Sequence, residues 1–523
     1  MSEQLALLPD RLAAHLELAL AALAIAVAIS VPLGVWATRR PRAESAALAV
    51  AGAVQTIPSL ALLAAMVPAL AALAAPAHRF LGIAVPSIGY LPALLGLTLY
   101  GVLPVLRGTV TGIRGVDPAL VEAALGVGMT DGERLRLVEL PLAWPVIVAG
   151  VRTATVWVVG IATLATPVGA PSLGDYIFSG LQTRNPTAVL TGCVAAAGLA
   201  LVLDALVHAL EVGVRRRRRG LAAAALAGLG GIALATAAHA VAHRFGNGEP
   251  PITIGAKTFT EQYVLSEIVA DTIARATSHP TRIVASLGST VAFDALAAGA
   301  LDLYVDYTGT IWTTILKRTD VPHDPAVVLA EVRRRLAAAY GITLVAPLGF
   351  ENAYALAMRA AAARRLGVTT ISELAARAPD LVIAGDYEFF GRPEWSALTA
   401  AYGLHFRERR SMDASLMYAA VAGAQVDVIS AFSTDGRIAA LGLTILADDR
   451  RVIPPYDAVL LAGARLVREH PDVVRALRAL TGAIGPDAMR RLNAAVDEDG
   501  ATPAAVAQAF VARLVAPAVS PGP

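Results

Sequence analysis

Apolar residues are distributed unevenly along the 523-residue chain, and the pattern changes near residue 250. Before that point, apolar runs of about 20 residues, long enough to cross a bilayer as helices, alternate with short arginine-containing segments. Six runs reach this length, at Leu16–Ala37, Ala46–Leu73, Ile88–Leu106, Trp144–Leu164, Ala188–Leu210 and Gly220–Ala242. The first half is therefore predicted to be a helical membrane domain of about six spans.

Arginine placement predicts the orientation of these spans, because loops rich in Lys and Arg stay in the cytoplasm. The loops after spans 1, 3 and 5 carry most of the arginines, including the unbroken run from Arg215 to Arg219. The N-terminus and everything after span 6 are then expected outside the cytoplasm. The first run lacks a basic leading segment and a small-residue cleavage site, so we interpret it as a span and not as a signal peptide.

Beyond residue 250, short strand-like runs alternate with helical segments, which predicts an α/β fold with open sheets. Strands are expected at the following places: from Ile252, at Arg282–Ala285, Leu301–Val305, Ile342–Ala346, Ala353–Met358, Leu381–Ala384 and Asp427–Ala431. About 270 residues suffice for two lobes, and ligands of such sheets bind at the carboxyl ends of strands. The expected boundaries are 1–219 for the membrane domain, 220–249 for the sixth span and a linker, and 250–523 for the α/β domain.

Composition narrows the possible functions. Only 16% of the residues are charged, against about 25% in soluble proteins, and a net charge of +2 excludes a strongly basic nucleic-acid binder. The single cysteine, Cys193, excludes an internal disulfide. Lys257 and Lys317 are the only lysines and neither follows a glycine, so the chain has no Walker A phosphate-binding loop and is not an ATPase itself.

The segment between spans 3 and 4 predicts a small helix–turn–helix. Asp117-Pro118 is typical of a helix start, with Asp117 as the N-cap. Glu122-Ala123-Ala124 gives that helix a surface of small residues, and Gly128 ends it together with the glycine two positions earlier. A second helix is expected up to Leu140-Pro141. Such a segment at a membrane surface is suited to being held by a partner protein.

This loop resembles the coupling loop of ABC-importer permeases in its Glu-Ala-Ala motif, the glycine four residues after the second alanine, and its Leu-Pro. The resemblance implies coupling residues at Glu122, Ala123, Ala124, Gly128 and Pro141. It also implies a separate cytoplasmic ATPase subunit that carries ATP and Mg²⁺, with no cofactor in this chain. One permease per chain further implies a homodimer with two ATPase copies, located in the cell membrane.

The second half resembles the substrate-binding proteins of quaternary-ammonium importers for glycine betaine, choline and carnitine. The similar stretches are Gly255–Gln262, Asp302–Thr310, Pro347–Tyr354, Phe389–Arg392, Met412–Tyr418, Phe432–Arg437 and Pro454–Asp457. Taken together, the two resemblances imply an all-α polytopic membrane domain followed by an α/β, two-lobed, periplasmic-binding-protein-like domain that is extracytoplasmic.

The chemistry of such a ligand sets what the site must contain. A trimethylammonium group has no N–H to donate, so it is bound by the π faces of aromatic rings. The resemblance places this cage at Tyr307, Tyr354, Phe432 and Tyr456, with Phe432 standing where tyrosine is usual. It places carboxylate-binding groups at Lys257, Thr310 and Arg392. Gln262 and Asp306 are further possible ligand contacts, and they are equally consistent with stabilising turns.

The expected function is a fused permease and substrate-binding subunit of an ATP-driven importer for a zwitterion such as glycine betaine. Carnitine, ergothioneine and choline remain alternatives, although choline has no carboxylate for Lys257 and Arg392 to bind. A membrane-anchored solute sensor is an alternative of another class, but it would not need the Glu-Ala-Ala loop. The sequence contains no nucleophile–base motif and no metal-ligand cluster, so neither catalytic residues nor a metal site are expected.

Overall fold

The structure is a computed structural model that describes residues 2–81, 85–183, 185–245, 249–318 and 324–515. The chain divides into two compact units, one of Met1–Phe178 and Thr187–Asn247 and the other of Ser179–Pro186 and Gly248–Pro523. Residues 246–248 of the expected linker lie outside the described residues.

The described part of the first 245 residues is all-α, with helices joined by short loops. The helices are α1 Ser2–Thr38, α2 Pro41–Thr56, α3 Ser59–Leu81, α4 Tyr90–Arg114, α5 Pro118–Gly126, α6 Asp131–Arg134, α7 Leu140–Ala162, α8 Gly174–Gln182, α9 Pro186–Arg215 and α10 Arg219–Phe245. Five helical stretches within the described residues are long and apolar enough to cross a membrane, and the α2–α3 pair brings the number to six. The prediction of about six spans is confirmed.

The predicted span Ala46–Leu73 is not one straight helix. The segments Pro41–Thr56 and Ser59–Leu73 meet at an angle of 100°. The cause is Pro58, because a proline disfavours helical backbone in the residue before it, and Ile57 has φ −74° and ψ 127°. The second run is therefore a broken span or a re-entrant pair of helices.

The expectation that the second loop helix ends at Leu140-Pro141 is wrong. Helical backbone runs on from Asp131 to Val168, so this helix continues into the fourth span. A π-helical turn at Leu135–Glu139 makes this possible: the Leu140 N–H donates to the Leu135 carbonyl, five residues back. After this widened turn, Pro141 lies in the first turn of α7. A proline is tolerated there although it has no N–H to donate.

The membrane unit packs α4 closely against α7 and α1. A Cβ atom placed on Gly150 of α7 would lie 2.7 Å from the carbonyl oxygen of Pro104 in α4, so the two backbones are in contact there. Small residues at such contacts are the usual means of packing helices in lipid. Between α7 and α9, the Arg152 Nε and Asp204 Oδ1 atoms are 2.7 Å apart.

Residues 252–515 form an α/β unit with two five-stranded sheets. The strands are β1 Ile252–Lys257, β2 Thr281–Leu287, β3 Leu303–Tyr307, β4 Thr343–Glu351, β5 Tyr354–Arg359, β6 Val382–Gly385, β7 Glu408–Ser411, β8 Val428–Phe432, β9 Leu443–Ile445 and β10 Asp457–Ala462. Their orders are β2-β1-β3-β10-β4 and β7-β6-β8-β5-β9. The two predicted lobes are these two sheets with their helices, and the chain crosses between them after β4 and after β9.

The helices of this unit cover the two sheets. They are α11 Thr260–Ala276, α12 Ser289–Ala297, α13 Thr308–Thr310, α14 Pro325–Tyr340, α15 Ala360–Leu366, α16 Ile371–Arg377, α17 Pro393–Tyr402, α18 Ala414–Ala422, α19 Arg437–Ala440, α20 Ala464–Glu469, α21 Pro471–Leu477, α22 Pro486–Asp497 and α23 Pro503–Val515. The sequence pattern missed β7, β9 and β10. Every residue of β7 is exposed, so this edge strand shows no apolar periodicity.

Candidate functional site

The loop between α4 and α7 forms two capped helical turns, as predicted. The Asp117 carboxylate accepts from the Ala119 N–H at 2.9 Å and so caps α5. Helix α5 ends before Gly128, whose φ of +83° is a left-handed conformation that favours glycine. Thr130 and Glu133 then form a reciprocal capping box that begins α6. Local sequence signals thus determine both helix starts.

The surface of this loop is unusually apolar for an exposed helix. Leu120, Leu125 and Val127 are 46%, 51% and 75% exposed. Among the predicted coupling residues, Glu122, Ala123, Gly128 and Pro141 are exposed and Ala124 is buried. Exposed apolar side chains surrounded by polar ones are typical of a surface that binds another protein.

A buried carboxylate anchors the loop to the membrane helices. Glu139, in the π-helical turn, is buried and accepts from Arg134 Nε at 3.0 Å and from Arg39 Nη1 at 3.2 Å. Arg39 directly follows α1, so the second half of the loop is linked to the end of the first span. Glu139 is not among the residues predicted from the sequence: Arg134 is only five residues away from it, but its contact with Arg39 joins residues 100 positions apart.

In the second unit, the four predicted cage residues lie at or beside the ends of strands from both sheets. Tyr307 ends β3, Tyr354 begins β5, Phe432 ends β8 and Tyr456 immediately precedes β10. The Tyr354 ring centroid is 5.2 Å from that of Phe432 and 6.2 Å from that of Tyr456. Strands β3 and β10 belong to one sheet and β5 and β8 to the other, so the rings come from both lobes.

Phe259 connects the remaining tyrosine to this cluster. Its ring is stacked on Phe432 at a centroid distance of 5.3 Å and on Tyr307 at 6.2 Å. The structure therefore brings all four predicted rings into one continuous row, with Phe259 as a fifth member. The sequence analysis placed Phe259 inside a matched stretch but did not predict it as a cage residue.

Gly309 leaves room for Tyr456, the ring at one end of this row. A Cβ atom on Gly309 would lie only 2.5 Å from Tyr456 Cε2, closer than any side-chain contact allows. Gly309 belongs to the short helix that follows Tyr307, so the same turn carries one cage ring and makes room for another. The Tyr456 hydroxyl, on the far end of the ring, donates to the Glu394 carboxylate.

The predicted carboxylate-binding groups are buried beside the same rings, but each cation already has an acidic partner. Lys257 Nζ forms an ion pair with Asp306 and lies 5.2 Å from the Tyr307 ring centroid. Arg392 Nη2 is 3.1 Å from Glu394 Oε1 and 3.3 Å from the Thr310 hydroxyl oxygen. The Arg392 guanidinium carbon is 5.1 Å from the Tyr354 ring centroid. Both cations therefore contact cage rings as well as acids.

Gln262 and Asp306, the two weaker candidates, have structural contacts. Gln262 Nε2 donates to the Tyr307 hydroxyl at 2.9 Å. Asp306 is fully buried and accepts from the Tyr304 hydroxyl at 2.6 Å and from the Tyr307 N–H at 2.8 Å. These contacts fix the orientation of Tyr307 and of Lys257.

Glu261 is a further buried acid that sequence reasoning missed. It accepts from the Tyr307 hydroxyl at 2.6 Å, from Asn352 Nδ2 at 2.9 Å, from Asn493 Nδ2 at 3.2 Å and from the Thr434 hydroxyl. Burial raises the pKa of Glu261 even though all four donors oppose the shift. Its partners come from β3, from the crossover after β4, from the segment after β8 and from α22.

Comparison with known proteins agrees with this architecture. Residues 30–216 match the family described as "Binding-protein-dependent transport system inner membrane component". Residues 250–513 match "Substrate binding domain of ABC-type glycine betaine transport system". A protein of Helicobacter pylori (strain G27) named "Ergothioneine transport permease/ergothioneine binding protein EgtU" is 30% identical over 92% of this chain and 86% of its own length. The chain belongs to the glycine betaine/choline/carnitine ABC transporter family.

Other members of this family resemble one half of the chain each. The "Choline transport system permease protein OpuBB" of Bacillus subtilis (strain 168) is 42% identical over 38% of this chain and 83% of its own length. The "Carnitine transport binding protein OpuCC" of Listeria monocytogenes is 31% identical over 51% of this chain and 87% of its own length. The chain is thus a fused permease and substrate-binding protein of an osmoprotectant ABC importer, and it is a multi-pass membrane protein and a transport subunit.

Proposed function

We propose that this subunit imports a zwitterionic quaternary-ammonium compound that binds in the cleft between the two sheets. The continuous row of five aromatic rings, contributed by both lobes, is the observation that carries the proposal. Such rings stabilise a cation without N–H groups by roughly 2 kcal/mol each when desolvated. Because the rings come from both sheets, the cage is complete only when the lobes are close together, as in the hinge closure of receptor domains.

The ligand carboxylate is assigned to Arg392, Thr310 and Lys257. Arg392 Nη2 and the Thr310 hydroxyl oxygen are 3.3 Å apart, so one ligand carboxylate can contact both groups. The ion pairs of Lys257 with Asp306 and of Arg392 with Glu394 reduce the net positive charge available to a ligand. Choline, which has no carboxylate, therefore belongs in the test as well.

Ergothioneine is the second candidate substrate. The Helicobacter pylori protein, which is similar to both halves of this chain, carries ergothioneine in its name. Phe259 extends the aromatic row beyond the four rings expected for a small betaine, and it lies between Tyr307 and Phe432. A ligand with an imidazole-thione body has a flat surface that such an additional ring can contact.

The deciding experiment is a thermal-shift screen of the detergent-purified full chain against glycine betaine, choline, carnitine, proline betaine and ergothioneine. We expect one of these compounds to raise the unfolding temperature. Replacing Tyr307 and Tyr456 by alanine together should weaken its binding by about 1,000-fold, the equivalent of about 4 kcal/mol. Tyr340→Ala is the matched control, because this tyrosine is not part of the aromatic row and packs edge-to-face against Phe293. Unchanged affinity in the double variant would refute the cage.

Transport is proposed to be driven by a separate ATPase that binds ATP and Mg²⁺ and docks on the loop of α5 and α6. The family and the exposed Leu125 and Val127 support this assignment. Two copies of this chain are proposed to form the pore with two ATPase copies. The mass of the assembled complex in nanodiscs tests this composition directly, since the mass of a single copy of this chain with a single ATPase copy would contradict it.

Gly128→Asp tests the coupling role of the loop. A non-glycine residue at a φ of +83° costs roughly 1–2 kcal/mol, and the new carboxylate would disturb the apolar docking surface. We expect ATP-driven uptake in proteoliposomes to fall to background while ligand binding by the second unit is unchanged. Normal uptake would contradict the coupling role without affecting the proposed cage.

A further inference from the structure

Two histidines and an aspartate from separate segments meet at the amino-terminal edge of the β1–β2 pair. His279 precedes β2, and His470 and Asp472 flank the first residue of α21. One ligand atom from each residue lies within 4.8 Å of the other two. The two imidazole centroids are 4.6 Å apart at an interplanar angle of 77°. The cage residue Tyr307, by contrast, lies at the carboxyl end of β3 in the same sheet.

The distance between His279 and Asp472 is close to that of two groups that share one ion. His279 Nε2 and Asp472 Oδ2 are 3.0 Å apart. Two ligands on a tetrahedral Zn²⁺, with bonds of about 2.0–2.2 Å, are separated by only slightly more than this. The ligand set of two imidazole nitrogens and one carboxylate oxygen suits Zn²⁺ and similar transition metals, whereas Ca²⁺ and Mg²⁺ prefer oxygen ligands alone.

A second carboxylate supports the same interpretation from the opposite side of His279. Glu249 Oε2 lies 2.5 Å from His279 Nδ1. Histidines that bind metals usually donate their other ring N–H to a carboxylate, which fixes the tautomer and the ring orientation. With Nδ1–H directed at Glu249, the lone pair of Nε2 points toward Asp472 and the neighbourhood of His470.

The charge of the cluster also fits a dication. Glu249 and Asp472 contribute two negative charges, and both histidines are neutral when they bind a metal. The competing arrangement is a protonated His279 shared between the two carboxylates, and these hydrogen bonds raise its pKa. A metal replaces that proton on Nε2, so the two states exclude each other and metal binding distinguishes them.

We propose that His279, His470 and Asp472 bind a divalent transition metal such as Zn²⁺, with Glu249 as the residue that positions His279. The metal links three segments of the first lobe: the chain entering β1, the loop before β2 and the start of α21. The site is not predicted from the sequence, because His279 lies 193 residues before Asp472 along the chain. The site is independent of the proposed substrate and of the cage.

The test is a titration of the full chain, purified in detergent without a polyhistidine tag and stripped of metal with EDTA. We expect isothermal calorimetry to show one tight Zn²⁺ site per chain. His279→Ala and His470→Ala should each weaken that site by at least about 100-fold. Glu249→Gln should weaken it by about 10- to 100-fold while leaving one site per chain. His405→Ala, which removes an exposed histidine of the other lobe, should bind as the wild type does.

Co²⁺ provides a spectroscopic signature that a structural effect of the variants would not produce. Wild-type protein should show the visible absorption of Co²⁺ bound by nitrogen and oxygen, and His470→Ala should lose it although its circular dichroism is unchanged. Thiolate charge-transfer absorption would instead assign the ion to the exposed Cys193 and overturn the proposal. Equal Zn²⁺ affinity in the wild type, His279→Ala and His470→Ala would also overturn it.

Discussion

The Glu261 carboxylate accepts hydrogen bonds from four uncharged donors, and no cation is among these partners. Because the donors lie on both lobes, on the crossover between them and on α22, this one side chain fixes four parts of the unit relative to each other. It also fixes Tyr307, whose ring contributes to the cage. The residue therefore couples the geometry of the ligand site to the hinge.

Replacing Glu261 by glutamine tests this role. In glutamine, an NH2 group replaces one of the two carboxylate oxygens and therefore faces two hydrogen-bond donors without accepting from them. A buried polar group left without a partner lowers the free energy of unfolding by about 1–3 kcal/mol. We expect a lower unfolding temperature of the second unit and weaker ligand binding, measured by calorimetry. Glu331→Gln, on an exposed ion pair of α14, is the control and should change stability little. Equal stability of both variants would contradict the prediction.

The effect of this substitution should also depend on pH. Burial raises the pKa of Glu261, so the stability that the protonated acid contributes is present at low pH and is lost as pH rises through the raised pKa. Glutamine does not titrate. The difference in unfolding free energy between the wild type and Glu261→Gln should therefore shrink from about pH 5 to pH 8 in chemical denaturation. A difference that grows over this range would contradict the assigned direction.

Gly309→Ala tests the packing of Tyr456. The added methyl group would overlap the ring, with Cβ 2.5 Å from Cε2, and overpacking of this kind typically costs about 1–3 kcal/mol. We expect a lower unfolding temperature and a displaced Tyr456, hence weaker ligand binding. Gly485→Ala, where the new Cβ has no neighbour within 4 Å, is the matched control. If the two variants behave alike, Gly309 does not have this packing role.

At the scale of elements, local signals predicted helix starts well and long-range pairing poorly. Asp117-Pro118 predicted the start of α5, because capping depends on neighbours along the chain. The continuation of helix through Pro141 depends on a π-helical turn, and the Glu139 contacts with Arg39 depend on tertiary packing. Four cage rings were predicted from matched stretches. Phe259 was missed because its partners Tyr307 and Phe432 are distant in the sequence.

The exposed apolar surface of the coupling loop gives an element-scale prediction. Val127 is 75% exposed, so its replacement by aspartate removes little packing within the chain. We expect Val127→Asp to abolish ATP-driven uptake in proteoliposomes while ligand binding stays normal, because a charge would be buried against the ATPase without a partner. Val327→Asp, the same change on exposed α14 of the second unit, is the control. Full uptake by Val127→Asp would exclude this face from docking.

At the scale of the whole molecule, the permease and the receptor are two compact units on one chain. The proposed ligand contacts are confined to the second unit, so the ligand adds stability to that unit alone. A ligand that binds only the folded state at 100 times its Kd contributes about 2.7 kcal/mol. The fusion keeps the receptor at a high effective concentration near its pore, a benefit that depends on tethering and not on tighter ligand binding.

Scanning calorimetry of the full chain in detergent tests this division. We expect two unfolding transitions, of which only one rises in temperature when the compound selected by the ligand screen is added. In the variant with Tyr307 and Tyr456 both replaced by alanine, that rise should disappear while the other transition stays where it was. The unresponsive transition belongs to the helical unit, whose core contains none of the cage residues. Equal displacement of both transitions by the ligand would mean that the two units unfold as one cooperative body, and the receptor would then stabilise the permease directly.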